Sequence, residues 1–434
     1  MADTLDVYLN AILAGRLREE KGQLFFAYDN AWLESEQFIP LSVTMPRQTE
    51  GFPNEITRAF FDNLLPEGDI RTAIAKLKRV SERNTFGLLE EIGGDCAGAV
   101  SLWPQGEEPG KNEGYASIGD KRLDKLLADM QKRPLLVIED ELRLSLAGAQ
   151  NKLPVHYDGA QLSLPRGSAP SSHILKPGSP DFAHMPVNEH FCMRLAAALG
   201  LTVPDSVILR KPNPLYLVKR YDRIVATDGT LTRIHQIDFC QALNLPSGKK
   251  YEKEGGPSLS ACFNVIATFS AQPAKDRLQL ISWAIFNYLM GNADAHAKNL
   301  SLLITSEGIS LAPFYDLIST AVYQDLTVNL ALKIGGEDRP EWIKERHWAK
   351  FAEASGANPR IVWKKMADLS AMIAGKAREL TADAGTSKDE HDLLENICSL
   401  VETRAQRLAR FDKVIEFDKT AAGKKSTLGR FLEG

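Results

Sequence analysis

The chain has 434 residues, 44% hydrophobic and 25% charged, with a net charge of −4 and five cysteines. This is the composition of an ordinary globular protein of two or three structural units, which excludes disordered and collagen-like classes and gives no global sign of nucleic-acid affinity. Cys96, Cys192, Cys240, Cys262 and Cys398 are scattered with no CxxC pair, which argues against a zinc ribbon or thioredoxin-type site and suits a reducing compartment.

In chain order, the start Met-Ala-Asp-Thr lacks a basic region followed by an apolar core, so no signal peptide is expected. Residues 5–10, 13–18 and 22–28 predict short strands, with Gly15 and Gly22 as punctuation. Ile56, Phe60, Leu64 and Leu65 recur at helical spacing within 55–77, and Pro66-Glu-Gly68 divides that run into two helices. Residues 104–120, rich in Gly, Glu, Pro and Lys, read as a loop at a domain edge; 121–133 reads as an amphipathic helix. Strand signals dominate 141–222: 142–146, 152–157 and 160–164 around the Asp158-Gly159 turn, 172–176, 207–210 and 214–218, with one helix from Pro186 to Leu199 stopped by Gly200. Beyond about residue 235 the pattern is helical over 236–243, 257–268, 275–291, 340–355, 358–374 and 387–413, with a strand pair at 299–304 and 309–312. The apolar region 278–290 is broken by Gln279 and Asn287 and is shorter than the roughly 20 residues a membrane helix needs. The tail 419–434 is expected to fray. The expected division is 1–110, an N-terminal subdomain; 111–140, a connecting helix and linker; 141–235, a β-rich small lobe; and 236–434, a helical lobe.

Gly291-Asn-Ala-Asp-Ala-His-Ala-Lys-Asn299 and Pro313-Phe-Tyr-Asp316 carry the sharpest chemistry. Asp294, then Asn299, then Asp316 is the order and spacing of a kinase catalytic loop and its magnesium aspartate. Phosphoryl transfer needs one carboxylate to take the acceptor hydroxyl's proton, and an amide oxygen and a second carboxylate to hold Mg²⁺ against phosphates. The competing readings are a polar helix end at Asn292 and Asp294, and a helix cap at Asp316 before Leu317–Ala321. Between them, Lys298 could neutralise charge on the transferred group and His296 could hold the loop by hydrogen bonds; no second His or Cys at ligand spacing supports zinc.

Upstream, Leu144-Ser-Leu-Ala-Gly-Ala-Gln-Asn-Lys152 has one glycine, Gly148, so it is neither a Walker A nor a GxGxxG loop, yet its small residues would let backbone N–H groups approach phosphate. An ordinary strand turn is the alternative. Lys176 ends an otherwise apolar strand, where a lysine is costly unless paired. Glu189, in the following helix, is the partner that would complete the lysine–glutamate pair of protein kinases. Tyr216 to Arg223 suits a hinge, with backbone groups reading adenine, or else a charged edge strand.

Taken together, Ser-Leu-Ala-Gly-Ala-Gln-x-Lys, His-Ile-Leu-Lys, Asn-Glu-x-x-Cys, Arg-Tyr-Asp-Arg, Gly-x-x-Asp-x-His-x-Lys-Asn and Pro-Phe-Tyr-Asp-x-Ile-Ser resemble the HipA family, the serine/threonine-kinase toxins of bacterial HipBA toxin–antitoxin pairs. Phe61-Asp-Asn-Leu-Leu-Pro66 and Leu88-Leu-Glu-Glu-Ile-Gly93 extend the resemblance to the N-terminal part. It implies an α+β, two-lobed, protein-kinase-like fold with ATP and Mg²⁺ as cofactors. Asp294 would be the general base, and Asn299 and Asp316 the Mg²⁺ ligands. ATP would be bound by Ala147, Gly148, Ala149, Gln150, Asn151, Lys152, Lys176, Lys219, Arg220, Tyr221, His296, Lys298, Asn299, Tyr315 and Asp316. Ser145 would be autophosphorylated, and a phosphate of nearly two negative charges there would switch the kinase off.

The resemblance also implies a HipB-type helix-turn-helix antitoxin as partner, operator DNA reached mainly through it, a protein substrate (glutamyl-tRNA synthetase in the family), and a bacterial cytoplasmic location with no membrane. Lys219 stands where the best-known family member has an acidic hinge residue, and basic residues are missing around Phe351-Ala-Glu-Ala-Ser-Gly, where that member touches DNA. A small-molecule or lipid kinase and a catalytically idle co-repressor scaffold are the alternatives.

Overall fold

A computed structural model describes residues 3–110, 112–132, 150–211, 213–227 and 229–429. The N-terminal unit begins with the meander β1 (Asp3–Leu9), β2 (Ile12–Glu20) and β3 (Gln23–Tyr28), continues through α1 (Asn30–Glu34), α2 (Asn54–Asp62), α3 (Gly68–Lys78) and α4 (Thr85–Ile92), and closes with β4 (Val100–Pro104). Its antiparallel sheet runs β3-β2-β1-β4. Gly15 does not punctuate a turn. It lies inside β2, where a Cβ would meet the Phe26 ring at 2.5 Å, and the turn is made by Asn10 at φ +55°. Pro66 and Gly68 separate α2 from α3 as the sequence suggests, Pro66 by lacking an N–H and Gly68 by opening α3 at φ +55°.

Residues 104–120 are not all loop. β5 (Asn112–Ser117) joins the edge of the six-stranded small-lobe sheet, followed by α5 (Asp120–Lys132), β6 (Leu153–Tyr157), β7 (Leu162–Gly167), β8 (His173–Lys176), α6 (Met185–Ala198), β9 (Ser206–Lys211) and β10 (Asn213–Lys219). The order is β5-β7-β6-β8-β10-β9. Strand alternation explains how this sheet serves the site. Leu215 and Leu217 of β10, with Leu175 of β8, join Leu123, Leu126 and Met130 of α5 in one small core. Tyr216 and Val218 join α6 residues Val187, Phe191 and Cys192 in the main core. Lys176 pairs in register with Tyr216, so the same alternation sends it to the α6 side.

After the hairpin β11 (Arg223–Val225) and β12 (Leu231–Arg233), β13 (His235–Asp238) leads into α7 (Phe239–Ala242). The helix expected over 236–243 is therefore half strand. His235 to Asp238 pairs with the strand that follows residues 291–299, and Asp238 and Gln241 then form a capping box that starts a short helix. The helical lobe continues with α8 (Leu259–Phe269), α9 (Pro273–Met290), the hairpin β14 (Ser301–Thr305) and β15 (Gly308–Leu311), α10 (Glu345–Ala354), α11 (Pro359–Ala382) and α12 (Lys388–Gly429). α12 carries helix into the tail read as frayed. The helix expected after Asp316 is only a 3₁₀ turn at Thr320–Val322, because Ser319 is tied across to Asn188 and the Met290 carbonyl. All five cysteines are buried thiols, and among the described residues no helix is long and apolar enough to cross a membrane.

Candidate active site

The buried helix α9 ends at Gly291, whose φ of +71° and the 2.8 Å approach of Ala321 and Leu400 to any Cβ make glycine the residue that fits. The chain then folds on its own polar groups. Asn292 donates to Asn287 Oδ1 at 2.8 Å and accepts from the Asp294 N–H at 3.1 Å, and the Ala293 N–H donates to Thr320 Oγ1 at 2.7 Å. Asn299 Nδ2 donates to the Asp294 carbonyl at 3.0 Å, which leaves its amide oxygen as the atom suited to a cation. Asp294 has a half-exposed side chain on the cleft, while Asn292 and Asn299 are buried. The polar-helix-end reading accounts for Asn292 but not for a carboxylate turned to a cleft.

Asp316 sits in the left-handed region at φ +52°, a conformation that costs a non-glycine residue of order 1 kcal/mol or more and collects at functional sites. Its carboxylate meets Lys176 Nζ at 2.5 Å, and Lys176 meets Glu189 at 2.7 Å. Burial opposes the charge on Lys176, but Asp316 and Glu189 outweigh it and hold the ammonium protonated. Burial likewise raises Asp316, yet Lys176 and Lys152 bring it below its ordinary range. Glu189 lies deepest: burial raises it, with Lys176 opposing. Lys152 is lowered to about 8, chiefly by burial, with Asp316 opposing and Lys176 adding.

These groups line one cleft of about 1320 Å³, together with Gln150, Asn151, Lys219, Arg220, Tyr221 and Tyr315. Asn151 is fixed by donating to the Met130 carbonyl at 3.0 Å. Tyr221 stacks on Tyr315 with ring centroids 5.5 Å apart, and the Tyr315 hydroxyl donates to the Lys298 carbonyl at 2.5 Å. The expected hinge is partly spoken for. The Lys219 and Arg220 N–H groups donate to the Asp205 and Ser172 carbonyls, and the Arg220 guanidinium is buried against Asp222 at 2.7 Å. Those N–H groups and that side chain do not read a nucleotide in this arrangement. Ser145, Ala147, Gly148 and Ala149 lie outside the described residues.

Lys298 also departs from expectation. Its ammonium is buried and bonded to Asn63 Oδ1 at 2.7 Å and to the Asn63 carbonyl at 3.2 Å, with Asp238 at 3.0 Å and Glu67 at 3.4 Å. It ties the loop that carries Asp294 to the α2–α3 turn instead of projecting toward phosphate. Burial would raise Glu67, but Lys298 and Lys250 hold it below its usual range. His296 does not bond the loop through its ring: among the described residues Nδ1 has no hydrogen-bond partner, Nε2 stands 4.0 Å from Asp294, and burial, against Asp294's pull, lowers its pKa below the ordinary value.

Asn63, Glu67 and Tyr251 are among the cleft residues that the spacing of motifs missed. Tyr251 donates to Asp294 Oδ1 at 2.5 Å. Pro66-Glu-Gly68 was visible as a helix break, but nothing local says that the break faces a loop more than two hundred residues away.

The model of the HipA-like C-terminal domain matches residues 144–378, and that of the HipA N-terminal domain matches 5–103. The chain belongs to the HipA family. It is 33% identical over 367 residues to the serine/threonine-protein kinase toxin HipA of Shewanella oneidensis, covering 81% of this chain and 83% of that one. It is 39% identical over 389 residues to the "Putative kinase Y4mE" of Sinorhizobium fredii, covering 87% and 93%. Its fold superposes with a TM-score of 0.85 and 28% identity on a chain of the Shewanella oneidensis MR-1 toxin–antitoxin complex of HipA, HipB and operator DNA, covering 95% of this chain and 99% of that one. The architecture is thus the α+β HipA-type fold, with a sheet-rich region followed by a helical one, and family members carry the name of kinase.

Proposed function

We propose that this chain is the toxin kinase of a toxin–antitoxin pair and transfers the γ-phosphoryl group of ATP to a serine or threonine hydroxyl of a protein. One observation carries the reading: Asp294, Asn299, Asp316 and the Lys176–Glu189 pair, drawn from separate parts of the sequence, line a single cleft. Asp294 takes the acceptor proton as the phosphorus–oxygen bond to the acceptor forms and the bond to ADP breaks. Lys176 is positioned for phosphate oxygens, with Glu189 fixing its ammonium.

The donor set fits Mg²⁺, which takes one or two carboxylate or amide oxygens and completes its shell with phosphates and water. Asn299 and Asp316 would hold it, and it would supply charge neutralisation on the phosphates. Tyr221, Tyr315, Gln150, Asn151 and Lys152 would line the nucleotide. Ser145 is proposed as the site of an inhibitory phosphorylation in cis. A HipB-type antitoxin is the proposed partner, carrying the chain on operator DNA in a bacterial cytoplasm, and glutamyl-tRNA synthetase is the first acceptor to try.

The test is growth. Expression of the chain alone should arrest cells, co-expression of a cognate HipB-type helix-turn-helix antitoxin should relieve the arrest, and Asp294→Asn should abolish it. Arrest by Asp294→Asn at the same expression level would overturn the assignment. Phosphopeptide mass spectrometry after incubation with ATP should find Ser145; phosphate solely elsewhere would refute the proposed switch.

A further inference from the structure

Tyr251 comes from outside every motif of the catalytic machinery, yet its hydroxyl is bonded to the carboxylate of Asp294. The segment that carries it is built against the catalytic loop. The Lys250 carbonyl accepts the Ala297 N–H at 3.3 Å, the Lys250 ammonium meets Glu67 at 2.7 Å, and the Tyr251 ring stands edge-on to His296 with centroids 5.1 Å apart. Behind it, the Glu254 and Gly256 N–H groups both donate to the Tyr251 carbonyl. Gly256 is the residue that allows this, since a Cβ there would stand 2.7 Å from the Lys249 and Tyr251 carbonyl oxygens. Further out, Glu252 accepts from the Lys333 N–H at 2.7 Å, so the turn is anchored on both sides.

We infer that Tyr251 is a positioning residue for the catalytic base: its hydroxyl pins Oδ1 of Asp294 and leaves Oδ2 to meet the acceptor hydroxyl. A half-exposed aspartate at a cleft has several rotamers of similar energy. A hydrogen bond to an ionised group, about 1.5–3 kcal/mol, is enough to select one of them. General-base catalysis falls off steeply when the base drifts from hydrogen-bonding reach of the proton it removes. Burial, with Asp294's negative charge adding, pushes the phenol far above its ordinary range, so it stays a donor wherever the aspartate is ionised.

This inference rests on the reading of Asp294 as the base, and the experiment separates the two. MgATP turnover, counted as free phosphate plus protein-bound label from [γ-³²P]ATP, is measured for the full-length wild type, Tyr251→Phe, Tyr251→Ala and Asp294→Asn. MgATP binding by calorimetry serves as the check on folding. Tyr251→Phe should lower kcat about tenfold, the fold-change of roughly 1.4 kcal/mol, while KM for ATP stays within twofold and MgATP affinity is unchanged. Tyr251→Ala should be no worse than a few-fold below Tyr251→Phe, because the hydroxyl and not the ring is the working part. Wild-type kcat in Tyr251→Phe, a loss expressed only in KM, or faster turnover (which would make the tyrosine an obstacle) would each overturn the inference while Asp294→Asn remains dead. Activity in Asp294→Asn would instead overturn the base assignment itself.

Discussion

Two lysines in this cleft, Lys176 and Lys298, are both buried and both clasped by carboxylates, yet they belong to different machines. Lys176 is held by Glu189 from below and by Asp316 at the cleft, and Asp316 is partly exposed and in a strained backbone conformation. On the proposed function, an incoming phosphate would replace one of its partners, Asp316. Lys298 is enclosed by Asp238, Glu67 and two oxygens of Asn63, none of them on the same element as the lysine, and it joins the N-terminal unit to the loop that carries Asp294. Burial and charge pairing alone do not distinguish a ligand from a girder. What distinguishes them is whether a partner faces solvent and could be exchanged.

The carboxylates left behind respond differently, and that gives the largest test. In Lys298→Met, Asp238 loses the lysine at 3.0 Å and Glu67 is left with Lys250 alone; breaking such a buried pair costs about 3–5 kcal/mol, so chemical denaturation should show a loss of that order. In Lys176→Met, Glu189 is already pushed up by burial and can take a proton, so stability should fall by less than in Lys298→Met. Its signature should instead be phosphoryl transfer, reduced roughly a hundredfold or more, the scale of losing one preorganised charge at a reacting phosphate. Equal stability losses in the two variants would break the comparison.

The sequence made one half of this contrast readable and hid the other. Asp294 and Asn299 lie within one loop, and Lys176 and Glu189 are separated by a single short connection, so residue type and spacing were enough to expect them in one cleft. Lys298 lies in the same loop, but its partners are Asn63 and Glu67, which only the docking of the N-terminal unit brings near. Tyr251 is 43 residues from Asp294 and carries no motif. β5 was hidden by its loop-like composition, since an edge strand needs few apolar residues. β13 was hidden because a four-residue strand passing directly into a four-residue helix is shorter than either period needs to declare itself.

The seam between the units also has a pH signature. His235 is buried in β13, and its Nε2 donates to the Leu41 carbonyl at 2.8 Å. Burial lowers it to about 4, the hydrogen bond opposing. Its unfolded value is about 6.5, so below that pH the unfolded chain binds the extra proton and the folded chain does not. Its contribution is therefore full at neutral pH, declines as pH falls below about 6.5, and is exhausted below about 4. Acidification from pH 7 to 5 should cost about 2 kcal/mol through this residue. His235→Gln should flatten the stability–pH curve over that window, and an unchanged slope would place the acid sensitivity elsewhere.

Glu67→Gln is the mildest expected change. It retains an oxygen for Lys250 or Lys298 but loses the charge, so a loss of about 1–2 kcal/mol is expected with MgATP affinity unchanged. A fall in MgATP affinity would move Lys298 from the girder class to the ligand class.

The central claim is that this cleft transfers a phosphoryl group with Asp294 as the base. Incubation of purified wild type and Asp294→Asn with [γ-³²P]ATP and Mg²⁺, with label read on the chain itself and on glutamyl-tRNA synthetase, tests it most directly. The account predicts label on protein with the wild type and a loss of about a hundredfold or more with Asp294→Asn. Equal labelling by the two proteins, or no labelling by the wild type, would contradict it.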